Sequence, residues 1–219
     1  MRQIRDEVVA LKDLLQQRSD AGMSLARIRV RDGTFPVLGE GSHNARLMFV
    51  GEAPGRNEAA TGRPFCGAAG KILDTLCASI GLERKDVYVT NIVKDRPPQN
   101  RDPLPEEIEL YAPFLDRQIA VIQPSVIVTL GRFSMEYILK RFGLAEYLGP
   151  ISRLHGQIFS ASSSYGIVKI VPLYHPAAAI YNPTLKDDLL RDFAVLKDFA
   201  GMVRGKQESH AEPVPPSLF

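Results

Sequence analysis

Cysteine is nearly absent from this chain: two in 219 residues, too few for a disulfide framework or a four-thiolate metal site. Long apolar runs are missing as well. No stretch approaches the roughly 18 to 20 apolar residues of a membrane span, and the first twenty residues carry charges of both signs where a signal peptide needs an apolar segment. A cytoplasmic, reducing setting without a membrane partner is therefore expected. A large net charge is the third absence. Lys and Arg number 27 against 25 Asp and Glu, a formal +2, so overall electrostatics neither require nor exclude nucleic acid. The glycine spacings of Walker and dinucleotide-binding loops are missing too.

The chain is 45% hydrophobic and 24% charged, the composition of one soluble globular domain. Its charges are unevenly spread. Residues 84–101 hold five bases (Arg84, Lys85, Lys94, Arg96, Arg101) and two acids, and 102–116 hold five acids and no base, a basic loop followed by an acidic helix. Ile4, Val8, Leu11, Leu14 and Leu15 recur at three and four, predicting an amphipathic helix that ends before Gly22. A loop over 31–45 follows.

Leu47–Val50 is a short apolar run stopped by Gly51, and helical spacing resumes over 68–80. The unit recurs: Val87–Thr90 leads to a helix over about 105–122 with Pro105 in its first turn, and Val126–Leu130 to a helix over about 133–142. Residues 151–173 suggest two strands around a turn at 160–166, and a last helix is expected over about 185–203. Near-continuous apolar strands alternating with helices predict a three-layer αβα sandwich around a central four-stranded, mainly parallel sheet. Residues 1–204 would form the single domain, with 1–45 its N-terminal helix and loop. The proline-rich 205–219 would be a disordered tail.

In an open α/β sheet, ligands bind beyond the carboxyl ends of the strands, so residues just after each strand carry the chemistry. Four segments qualify. Gly51-Glu52-Ala53-Pro54-Gly55, continuing through Glu58 to Phe65-Cys66-Gly67, lets backbone N–H groups approach a phosphate or planar ring; a plain strand-to-helix turn reads the same way. Asn91 ends a strand and offers an acceptor and two donors in one plane, the complement of an imide edge, although a turn-forming Asn is the commoner case. Gly131-Arg132 could hold a phosphate or simply turn the chain. His175, directly after a strand and stiffened by Pro176, is placed to donate to a developing anion; a lone His is usually structural.

Taken together, GEAPG, GRPFCGAAG, VTNIVK, RPPQNRDPLPEEI, VIVTLGR and YHPAAAIYNP, in this order and spacing, resemble the uracil-DNA glycosylase superfamily, specifically its family four, over about residues 45–200. The resemblance implies hydrolysis of the N-glycosidic bond of deoxyuridine in DNA, with DNA as partner, uracil as product and the protein a monomer. It implies that His175 donates to uracil O2, Phe65 stacks on the flipped base, Asn91 pairs with its O4 and N3–H edge, and Glu58, Gly51 and Ala53 line the base pocket. Gly55, Arg96, Pro97, Asn100, Arg101 and Arg132 would grip DNA, and Ala178, Ala179, Ile180 and Tyr181 would enter the minor groove. Glu52 is the candidate for orienting water; a capping carboxylate is the other reading of it.

Family four also implies four cysteines on a [4Fe–4S] cluster, and here the chain departs from it. Asp95 and Tyr111 stand at two of those positions, residues 1–45 contain no cysteine, and Cys66 and Cys77 match none of the four. No metal and no cofactor are expected. Tyr111 and Asp95, the latter paired to an Arg within 18–31, would dock the N-terminal helix instead. Ala59 and Tyr181 also depart from the family pattern, where Asp and Arg are usual. The alternatives are a glycosylase for hypoxanthine or xanthine and a DNA-binding homologue without catalysis.

Overall fold

The computed structural model describes residues 1–14 and 24–201; the expected tail and the end of the first helix lie outside them. In chain order the helices are α1 (Arg2–Leu14), α2 (Leu25–Arg31), α3 (Arg56–Thr61), α4 (Ala68–Ser79), α5 (Pro105–Ile122), α6 (Arg132–Arg141), α7 (Ile151–Leu154), α8 (Ala178–Tyr181) and α9 (Leu185–Ala194). The strands are β1 (Glu40–Gly41), β2 (Leu47–Gly51), β3 (Tyr88–Asn91), β4 (Val126–Leu130), β5 (Phe159–Ser163) and β6 (Gly166–Leu173).

They form one sheet in the order β1-β3-β2-β4-β6-β5. The four central strands are parallel, and β1 and β5 pair antiparallel at the two edges. The sheet therefore has six strands, not the four expected. The missed β1 is two residues long, too short to carry an alternating pattern. β5 belongs to a hairpin whose turn is tighter than the expected 160–166, with Ser163 opposite Gly166. The expected helix over 185–203 is interrupted after Ala194 by a turn.

Side-chain alternation along β2 fills both faces. Leu47 and Phe49 join Leu73 and Leu76 of α4 and Leu189 and Phe193 of α9. Met48 and Val50 join Leu115 and Ile119 of α5 and Ile138 and Leu139 of α6. Period-two burial on both faces is what makes the central strands read as unbroken apolar runs. A third cluster brings Ile4 and Val8 of α1 and Leu25 and Ala26 of α2 onto Val93, Tyr111 and Phe114.

That third cluster has a polar centre. Arg29 Nη1 donates to Asp95 Oδ1 and Oδ2 at 2.9 and 2.8 Å, the Tyr111 hydroxyl donates to Asp95 Oδ2 at 2.5 Å, and the same guanidinium donates to the Val9 carbonyl of α1 at 3.0 Å. All three side chains are buried. Burial pushes the Asp95 carboxyl up, and Arg29 and Tyr111 oppose that. The partner of Asp95 thus falls within the 18–31 stretch. A [4Fe–4S] cluster needs thiolates, and this place holds a carboxylate and a phenol occupied with a guanidinium; the residues do not fit the group.

Candidate active site

β2 and β3 end level, with Gly51 beside Asn91. The pairing continues past the strands: the Ile92 and Val93 N–H groups donate to the Gly51 and Glu52 carbonyls at 3.0 Å each. β6 ends at Leu173, beside Leu130 of β4, and delivers His175 to the same edge. Beyond it lies a cavity of about 590 Å³ lined by Glu52, Ala53, Gly55, Asn57, Glu58, Phe65, Asn91, Pro97, Asn100, Arg101, His175 and Tyr181 among others. It sits where a parallel sheet presents its carboxyl ends.

Phe65 stacks against His175, ring centroids 5.5 Å apart and planes 27° from parallel. Its backbone is left-handed, φ +49°, a conformation that costs a non-glycine residue about 1 kcal/mol or more. Neighbours enforce it. Arg84 Nη2 donates to the Phe65 carbonyl at 2.6 Å while Arg84 Nε is paired to Asp74 at 2.5 Å. Gly70 packs so closely on that carbonyl that a Cβ there would collide with it. Glu58 Oε1 accepts from the Cys66 and Gly67 N–H groups at 3.0 and 2.9 Å, tying α3 to the free N–H groups at the start of α4.

Asn91 is 2% exposed, and among the described residues its carboxamide has no partner. Gly51 must lack a side chain, because a Cβ would strike Asn91 Oδ1 and the Phe65 ring; it stands behind both without lining the cavity. The Ala177 N–H donates to His175 Nδ1 at 3.1 Å. Nδ1 is then the acceptor and Nε2 carries the proton of the neutral ring. Burial lowers the His175 pKa to about 4, the nearby Glu58 charge opposing it, so the ring is a neutral donor near pH 7.

Burial raises the Glu52 pKa to about 7, helped by the Asp102 charge and opposed by Arg132. No described residue hydrogen-bonds its carboxyl group, so it does not act as a cap. Arg101 is paired to Glu107 at 2.6 Å and Arg132 to Asp102 at 2.5 Å. Arg96 Nε donates to Asn100 Oδ1 at 2.7 Å across a loop whose Gln99 and Asn100 both have positive φ. Arg96 and Arg132 stand outside the cavity lining, as do Ala178, Ala179 and Ile180; Tyr181 lines it and is 86% exposed. Gly131, at φ +96°, turns the chain against His175.

Cys66 is half-buried next to Phe65, its Sγ 3.3 Å from the Thr61 hydroxyl, and Cys77 is buried, its thiol pushed up to about 12. Sequence reasoning missed Arg84 as the clamp on Phe65, Asn57 in the lining, and the Asp102–Arg132 pair near Glu52. Arg84 was visible only as one base in a basic stretch.

The profile of the Uracil DNA glycosylase superfamily matches residues 38–197. A type-4 uracil-DNA glycosylase of Archaeoglobus fulgidus is 47% identical over 165 residues, 75% of this chain and 82% of that protein. One of Thermotoga maritima is 39% identical over 171 residues, covering 76% and 83%. A type-5 uracil-DNA glycosylase of Thermus thermophilus is 35% identical over 130 residues, covering 52% and 59%.

Proposed function

The chain belongs to the uracil-DNA glycosylase superfamily, and from that premise we propose how its own residues release uracil from DNA. It is a DNA-repair hydrolase that cuts the N-glycosidic bond of deoxyuridine and leaves an abasic site. The reacting base must leave the stack to enter the pocket. Phe65 covers one face of the flipped ring, and the free carboxamide of Asn91 pairs with its O4 and N3–H. As the C1′–N1 bond breaks, its electron pair leaves with the base. The Nε2–H of neutral His175 donates to O2, where part of that charge collects. Water adds to the electron-poor C1′, and Glu52 in its carboxylate form orients it and takes its proton. Glu58 fixes the Phe65–Gly67 turn against the base at C5.

The Pro97–Arg101 loop, Gly55, Arg96 and Arg132 meet DNA phosphates, and the exposed Tyr181 with Ala178–Ile180 enters the minor groove. Hydrolysis without strand cleavage belongs to this reading, and among the described residues no lysine lines the cavity. Among the described residues no helix is long and apolar enough to cross a membrane. Residues 1–204 acting as one domain, in a cytoplasmic monomer, complete this reading. The observation that carries it is the stacked Phe65–His175 pair beside an Asn91 carboxamide that has no partner among the described residues, at one sheet edge. Oligonucleotides containing uracil or hypoxanthine, single-stranded and duplex, treated with the protein and then with alkali, test it. Alkali-labile breaks at uracil are expected, and intact uracil strands would overturn the reading.

A further inference from the structure

Lys94 is fully buried and plays no part in the steps above. Its Nζ donates to the Asn91 carbonyl at 2.6 Å, Gln118 Oε1 at 2.7 Å and Thr90 Oγ1 at 2.9 Å. None of these atoms has a proton to give it. Asn91 offers a carbonyl. Thr90 spends its hydroxyl proton on the Leu38 carbonyl at 2.5 Å. Gln118 is oriented by its own Nε2, which donates to the Leu38 carbonyl at 2.9 Å and the Tyr88 hydroxyl at 3.2 Å. With the Leu38 carbonyl at 3.4 Å, four acceptors surround one nitrogen; a neutral amine has only two N–H groups to meet them, and the ammonium has three. Among the described residues the charge has no counterion. The elements packed against it, β3, α5 and the segment at Leu38, present Tyr88, Thr90, Asn91, Gln118 and a carbonyl, all neutral, and the adjacent Asp95 is turned to Arg29 and Tyr111.

A buried ammonium without a carboxylate is costly and would be expected to be selected against unless its field is used. It lies one hydrogen bond behind Asn91, whose carboxamide faces the cavity. We propose that Lys94 is a positioning residue that fixes the end of β3 and whose unbalanced charge favours the negative charge growing on the departing base. This rests on the reading that Asn91 holds uracil. Across a low-dielectric path such a field acts without contact, and its effect scales with the charge the leaving group must bear. Burial alone lowers the Lys94 pKa to about 7, so this help fades as pH rises through that value.

The test compares single-turnover excision of uracil and 5-fluorouracil from otherwise identical oligonucleotides by wild type and Lys94→Met, with Lys94→Gln as a second variant where the first is insoluble. Fluorine already stabilises the base anion, so less is asked of the field. Uracil excision is expected to fall about tenfold or more and 5-fluorouracil excision by clearly less. The ratio of the two rates within one preparation is independent of how much of the variant is folded. Deprotonation of Glu52 raises both proteins' rates through about pH 7; dividing the wild-type rate by the variant's between pH 6 and 8.5 removes that common rise, and the quotient should decline above about 7. Equal losses for the two bases, no loss for either, or a quotient that stays flat with pH would overturn the proposal. A wild type that excises neither base would instead overturn the functional reading beneath it.

Discussion

Two polar regions, which meet the same stretch of chain at Asn91 and Asp95, are built on opposite plans. In the cluster beneath the N-terminal helices, Arg29, Asp95 and Tyr111 bond one another, and the Val8 and Val9 carbonyls of α1 accept from Arg29 Nη2. In the pocket, the Asn91 carboxamide, His175 Nε2 and the Glu52 carboxyl group have no hydrogen-bond partner among the described residues, which on the proposed reading leaves them open to a guest. The difference separates what holds the molecule from what works on substrate: a closed set of bonds contributes stability, an open set contributes recognition. Changes in the first should therefore move the unfolding transition and leave the chemistry, and changes in the second should do the reverse.

The largest effect expected is on stability. Asp95→Ala strands the Arg29 charge in the interior and should cost about 3 to 5 kcal/mol by urea unfolding, while the single-turnover rate of the folded fraction stays within a few-fold of wild type. A large loss of rate on the folded fraction would break the division. His175→Ala is the converse. Losing a preorganised donor to a growing anion typically costs about 2.7 to 4 kcal/mol in barrier, or roughly 10² to 10³ in rate. Affinity for DNA carrying a non-cleavable uracil analogue should change only a few-fold; parallel loss of binding and stability would make His175 a structural residue.

His175 also gives the pocket an acid signature. Its folded pKa, about 4, lies below the unfolded value near 6.5. The stability gained from keeping it neutral is complete above about 6.5 and is lost as pH falls towards 4, by about 3 kcal/mol in all. His175→Ala should flatten that part of the stability profile, and identical slopes in the two proteins would refute it. The smallest effect is expected for Tyr111→Phe, which leaves the Arg29–Asp95 pair and removes one charge-assisted hydrogen bond. About 1.5 to 3 kcal/mol of stability should go, read as a lower unfolding midpoint, with excision unchanged.

The strand–helix alternation was legible in the sequence because strands buried on both faces are unbroken apolar runs ended by glycine or asparagine. The edges were not. β1 has too few residues to show a period, and the β5–β6 turn falls among serines that suit strand and loop alike. Among the candidates, Phe65, Asn91, Glu58 and His175 could be traced to the cavity because each lies in a short recognisable string at or just past a strand end or beside a helix start. Lys94 stands inside one of those strings, yet its setting is written elsewhere: Thr90 is four residues away, Gln118 twenty-four and Leu38 fifty-six. Arg84 likewise reads as a surface base until the fold brings it to the Phe65 carbonyl.

The Arg29–Asp95–Tyr111 contact also constrains how this protein can change over generations. Its charged pair is 66 positions apart in the chain, so no single local mutation exchanges the whole arrangement for another. A lineage that alters the aspartate or the arginine alone passes through an intermediate short of about 3 to 5 kcal/mol, a large part of the roughly 5 to 15 kcal/mol that holds a typical domain together. Descent would therefore tend to carry the charged pair as one heritable unit, with the phenol freer to vary, and drift would accumulate first in helix surfaces that touch neither.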